Sequence, residues 1–193
     1  LYCIIFSLVL ISYIARIFKH IAIILNVKCV GIDLSALPKN KTAICILSKE
    51  SIRFFSFHED DDIVEFVNSS SPDIIAIDAP LMKKIMVRKA DKLLKKYGAL
   101  PPTMASMAKL TKRAMKLIEK FNAKVIEVFP TATAKILGVY EKNYKAMAEK
   151  LGIKAKNKHE VDAYLAAYTA YLYLQGKAEE IGGKRKVVIP KVF

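Results

Sequence analysis

The first part of the chain alternates short apolar runs with turn-prone breaks. Residues 29–33 (Cys-Val-Gly-Ile-Asp) are an apolar run ending in an acid, and 42–47 and 52–57 are further strand-like runs set apart by polar residues. They predict three successive strands with hairpin connections. Asp60, Asp61 and Asp62 then offer acids where the positive end of a helix dipole favours them, with Ile63, Val64, Phe66 and Val67 as the apolar face and Pro72 as the stop. Residues 73–78 (Asp-Ile-Ile-Ala-Ile-Asp) read as a buried strand closed by Ala79-Pro80.

From there the period changes. Helices are predicted over 87–97 and 104–121, punctuated by Gly98 and Pro101-Pro102, followed by a strand over 124–129 halted at Pro130. Short helices over 131–137 and 143–151, a long helix over 160–174 ended by Gly176, and a brief strand over 187–189 complete the pattern. Each strand-helix-strand connection forces its strands parallel, so a meander followed by such units gives a mixed sheet. The expected fold is α/β: an RNase H-like mixed five-stranded sheet flanked by helices.

Residues 1–25 do not fit this alternation, being dominated by Ile, Leu, Val, Phe and Tyr with Arg16, Lys19 and His20 as the only charged or titratable side chains. The apolar stretch before Arg16 is shorter than the ~20 residues that span a bilayer, and it lacks the basic leading region and small-residue cleavage site of a signal peptide. The reading adopted is an apolar leader over 1–26, a mis-assigned start or a membrane anchor, preceding an RNase H-like domain over 27–193. Membrane association is expected only if the leader is native.

Composition narrows the partners. The 193 residues suit one domain or one domain plus an appendage, and 53% hydrophobic with 26% charged residues excludes a disordered chain. A net charge of +14 favours polyanions, and it is lopsided: residues 81–124 hold thirteen Lys or Arg against two acids, whereas 49–78 hold eight acids against two bases. Lysine enrichment from genome composition is the competing explanation. Cys3, Cys29 and Cys45 are odd in number and lack CxxC spacing, so a reducing, cytoplasmic setting is expected rather than a disulfide framework or zinc site. The three histidines form no ligand pair, so any metal must be held by oxygen.

Three apolar strands each carry a carboxylate near the carboxyl end: Asp33, Asp78 and Glu127. Parallel strands emerge on one edge, where ligands bind in open α/β sheets, and clustered carboxylates call for a divalent cation. Asp162, in the first turn of the last helix, shares a side with Ala166 and Thr169, and the surrounding alanines allow close approach to the sheet. Each acid also has a purely structural account: a turn cap for Asp33, an Asx turn for Asp78, a salt bridge to a core-flanking Lys or Arg for Glu127, and the helix dipole for Asp162.

Gly31-Ile32-Asp33-Leu34-Ser35, Ile77-Asp78-Ala79-Pro80, Arg88-Lys89-Ala90-Asp91, Glu127-Val128-Phe129-Pro130 and His159-Glu160-Val161-Asp162-Ala163 resemble, in that order, the domain-of-unknown-function family 429, described as predicted nucleases of the RNase H fold. The resemblance covers residues 28–190. It implies that Asp33, Asp78 and Asp162 hold metal, and that Glu127 matches the family's Glu-x-x-Pro segment and Arg88 with Asp91 its Arg-x-x-Asp pair. The family is similar in plan to Holliday-junction resolvases.

The resulting expectation is a nuclease using two Mg²⁺ or Mn²⁺ ions about 4 Å apart. Asp33 would bridge them, Asp78 and Asp162 would complete one each, and Glu127 would be an inner or outer partner. Arg88, Lys89 and Lys84 would contact phosphates of DNA or RNA by charge; Arg88 and Asp91 could equally be an i,i+3 ion pair. Resolvase-like cutting of paired strands would need a homodimer. The alternatives are a nucleic-acid-binding module or inactive RNase H-like protein, and a nucleotide-dependent phosphotransferase of the actin-like fold. The latter lacks a Gly-rich phosphate loop, since Pro38-Lys39-Asn40-Lys41 stands after Asp33.

Overall fold

Period-two alternation sets the two faces of the sheet. In the computed structural model, which describes residues 27–192, β1 (Cys29–Asp33), β2 (Thr42–Leu47), β3 (Ile52–Phe57), β4 (Ile74–Ile77) and β5 (Lys124–Glu127) form one sheet in the order β3-β2-β1-β4-β5. β2 runs antiparallel to β1 and β3, while β1, β4 and β5 are parallel. This is the RNase H-like plan expected from the meander followed by helical crossovers. The central β1 is buried along nearly its whole length, and the edge strand β3 is largely exposed.

Val30, Ile32, Ile44, Ile75 and Ile77 point to one side, against Ile63 and Val67 of α1 (Asp60–Ser69) and Ala114 and Leu117 of α3 (Ala105–Ile118). Cys29, Cys45, Ile74, Ala76 and Val128 point to the other, against α6 (Lys158–Leu174). The alanines of α6 allow a very close crossing. An ideal Cβ on Gly31 would lie 2.1 Å from the Ala163 carbonyl oxygen and 2.3 Å from the Ala167 nitrogen. Helix and strand touch backbone to backbone at that point.

Three details depart from the sequence pattern. The expected helix over 87–97 is a short α2 (Lys89–Leu94) continued by a 3₁₀ turn (Lys95–Tyr97), and α3 stops at Ile118. The expected strand over 187–189 is β7 (Val187–Pro190), paired antiparallel with an unanticipated β6 (Ala178–Ile181). Adjacent Glu179 and Glu180 hide β6 from propensity, because acids are depleted in strands and here both face solvent. Between β5 and α6 lie α4 (Pro130–Ile136) and α5 (Tyr144–Lys150).

The leader over 1–26 lies outside the described residues. Among the described residues no helix is long and apolar enough to cross a membrane. Cys29 and Cys45 are free and buried beneath α6, and burial pushes the Cys29 thiol up to about 12 and Cys45 higher still. In a Cys3→Ser background, a thiol reagent at pH 8 should therefore label neither cysteine in the native protein and both after denaturation. Native-state labelling would contradict the packing described.

Candidate active site

Strand register brings two of the acids together. Ile32 pairs with Ile77, and the Asp78 amide donates to the Ile32 carbonyl at 2.9 Å, so Asp33 and Asp78 leave adjacent parallel strands at the same level. Alternation turns both toward α6: each lies two residues beyond a position, Gly31 or Ala76, that faces the helix. The crossing of α6 over Gly31 supplies the third acid. With Ala163 seated on Gly31, the preceding turn of α6 overhangs Asp33 and brings Asp162 and His159 with it.

The four groups differ in their partners. The His159 Nδ1 lies 2.6 Å from Asp33 Oδ2, and Lys158 Nζ donates to Asp162 Oδ2. Asp78 is partly buried, and among the described residues no side chain or backbone group donates a hydrogen bond to its carboxylate. Burial first, then the neighbouring Asp33 and Asp162, push its pKa well above the ordinary carboxylate range, with Lys158 acting in the opposite sense. Burial also raises Asp162, more than Lys158 lowers it. The hydrogen bond to Asp33 raises His159 and keeps its cationic form to higher pH. Among the described residues neither a turn cap by Asp33, whose carboxylate meets His159, nor an Asx turn by Asp78 is present.

Glu127 is placed elsewhere. It pairs with Ile77, which faces α1 and α3, so it points to the opposite side of the sheet from Asp33 and Asp78. Its Oε1 and Oε2 each accept from the Arg88 guanidinium at 2.6 Å, and Oε2 also accepts the Leu81 amide at 2.7 Å. Arg88 additionally binds Asp91 at 2.8 Å through Nη2. Burial alone would lower the Arg88 pKa, but Glu127 and Asp91 hold it up. Burial raises Glu127 against the donors on it. Of the expected phosphate contacts, Arg88 is thus buried between two carboxylates, while Lys84 and Lys89 are exposed. The salt-bridge account of Glu127 and the ion-pair account of Arg88 with Asp91 describe the observed geometry.

Sequence reasoning passed over three residues. Lys158 and His159 stand on the same helical turn as Asp162, and the i,i+3 spacing of His159 to Asp162 was the available signal. Arg113 was counted only as surface charge. It is buried, donating to Ser35 through both the backbone oxygen and Oγ, to Asp60 at 2.7 Å and to the His58 carbonyl. The chain just past Asp33 is therefore braced by Arg113, and the chain just past Asp78 by Glu127.

The donor set consists of hard oxygens, which suits Mg²⁺ or Mn²⁺. Among the described residues no group of three or more His, Cys, Asp or Glu side chains is gathered as tightly as a metal ion requires. Asp33 and Asp162 are turned instead to His159 and Lys158. A divalent ion would compete with Lys158 and His159 for the two carboxylates.

No protein-family model and no curated protein matches the chain. Solved structures with a similar trace include Thermus thermophilus RuvC in complex with Holliday junction substrate, at 12% identity and TM-score 0.48 over 77% of this chain and 96% of that one. Thermus thermophilus RuvC also matches at 11% identity and TM-score 0.48, over the same shares. Fowlpox virus resolvase with Holliday junction DNA matches at 12% and 0.40, over 76% and 98%. Similarity at this level does not bear on activity.

Proposed function

We propose that this chain is a metal-dependent nuclease that hydrolyses phosphodiester bonds at Asp33, Asp78 and Asp162 with Mg²⁺ or Mn²⁺. The observation that carries the reading is Asp78: a partly buried carboxylate, free of hydrogen-bond donors among the described residues and repelled by Asp33, Asp162 and, least, Glu127. Such a carboxylate is relieved by a proton or by a bound cation, and a divalent cation would at the same time offset the charges of Asp33 and Asp162.

A bound divalent ion would supply an activated water and offset charge on the phosphoryl oxygens. The chain's own residues would do the rest. Asp33, Asp78 and Asp162 would hold the ion by oxygen, and Arg113 and Glu127 would keep the segments after Asp33 and Asp78 in place. His159, 68% exposed at its side chain and cationic when protonated, would be available to a substrate phosphate once it leaves Asp33.

Melting curves test the assignment. Mn²⁺ or Mg²⁺ should raise the melting temperature of the wild type, because an ion binding only the folded state stabilises it by RT ln(1 + [L]/Kd), ~2.7 kcal/mol at a hundredfold excess over Kd. Asp78→Asn should abolish most of that rise and yet be no less stable than wild type without metal, since it removes a charge that burial and its neighbours disfavour. Asp33→Asn should lose the metal response as well. If Asp33→Asn, Asp78→Asn and Asp162→Asn all destabilise the metal-free protein and none changes its response to metal, the acids are structural. The chain is then a binding module or an inactive relative.

A further inference from the structure

Glu127 fastens both ends of one loop. The Leu81 amide and the Arg88 guanidinium both donate to its carboxylate at 2.6 to 2.7 Å, so residues 82–87 form a loop pinned at its two ends by a single side chain. Met82 is buried within the loop, whereas Lys83 and Lys84 are exposed. Opposite stands α3, where Lys109, Lys112 and Lys116 recur at helical spacing and no acid occurs from Ala105 to Ile118.

Between loop and helix runs a groove of about 450 Å³. Ile85 and Met115 line it with apolar surface above the buried Met82, Lys83, Lys112 and Lys116 line it with charge, and Glu119 is the single acid on its lining. Among the described residues none of these three lysines is in an ion pair, whereas Lys120, one turn beyond Lys116, is paired with Asp61. The groove lies on the α3 side of the sheet, opposite to the face of Asp33 and Asp78, and the chain after β4 links the two. Lys83 lies five residues past Asp78, hence within about 18 Å along the chain, roughly half a turn of duplex.

Resting on the nuclease reading, we propose that this groove takes a nucleic-acid strand, with its phosphates on Lys83, Lys112 and Lys116 and its sugars against the methionine and isoleucine surface. Ammonium groups on long stems neutralise phosphates as point charges without reading bases, which suits a positioning contact. Glu127 and Arg88 are then positioning residues: they hold one wall of the groove and touch no substrate.

The test is fluorescence anisotropy of the full chain on a labelled single strand and a labelled duplex, without metal and across a salt series. Lys112→Ala/Lys116→Ala is compared with Lys142→Ala/Lys145→Ala, an exposed control pair at and just before α5, after melting curves show that all forms are folded. The groove pair should bind about tenfold or more weakly at low salt and lower the log–log salt slope by about two, the control pair by neither. Equal losses in both pairs would mean diffuse attraction to a basic protein and would overturn the groove. So would wild-type affinity in the groove pair; the nuclease reading would survive that result, because it is decided separately by the metal-linked melting of the aspartate variants. Preference for a polyglutamate peptide over both nucleic acids would overturn the proposal in favour of an acidic protein partner.

Discussion

Glu127→Ala is expected to cost about 3–5 kcal/mol of folding stability, the usual penalty for breaking a buried ion pair by removing one partner. Three donors lose their acceptor at once: two guanidinium nitrogens of Arg88 and the Leu81 amide. Arg88 keeps Asp91, so its charge stays paired but its side chain, 4% exposed, retains two donors with no protein partner. Glu127→Gln separates the contributions, because an amide of the same shape can still accept from Leu81 while surrendering the charge; its loss should be smaller. Denaturant unfolding measures both. The outcome also discriminates between two roles for the residue. A Glu127 that held metal would, as Gln, change the response to Mn²⁺ and hardly alter the metal-free protein, whereas the observed pairing requires the reverse.

Gly31→Ala should be about as damaging, and should take the site with it. Its Cβ would meet the Ala163 oxygen at 2.1 Å and the Ala167 nitrogen at 2.3 Å, both backbone atoms of α6 that cannot rotate away. Overpacking ordinarily costs about 1–3 kcal/mol, and contact with backbone on both sides puts this case at the upper end or beyond. The helix must lift, and Asp162 and His159 lift with it. Whatever fraction of Gly31→Ala folds should therefore have lost most of its metal-induced rise in melting temperature, although no acid has been replaced. Gly138→Ala is the control: its φ is +71° but nothing lies within 4 Å of the new Cβ, so about 1–2 kcal/mol of backbone strain is expected and the metal response should persist. A Gly31→Ala protein as stable as wild type would mean that α6 does not cross β1 in backbone contact at Gly31.

Much of this was legible in the residues alone because it depends on local period and on chain order. Alternating or continuous apolar runs identified β1 to β5 nearly to the residue, and the switch to helical spacing after Pro80 identified the crossovers that make β1, β4 and β5 parallel. Parallelism then implied that Asp33 and Asp78 emerge on one edge, and the alanines around Asp162 implied a helix able to come close. β6 was illegible because its two glutamates carry no strand signal and only its pairing with β7 makes it a strand.

Glu127 marks the boundary between the two kinds of knowledge. Its sequence context, an acid at the end of an apolar strand, is the same as that of Asp33 and Asp78, and by itself it determined that the carboxylate must be compensated. Which face it occupies depends on a register shift of one residue between β4 and β5, since Glu127 pairs with Ile77 rather than Asp78. A side-chain period of two turns that single step into opposite sides of the sheet. The amino-acid sequence therefore determined the strands, their direction and the list of charges to be satisfied. Only the tertiary structure decided which charges meet: register sent Glu127 to Arg88, and the crossing at Gly31 sent Asp162, His159 and Lys158 to the ends of β1 and β4.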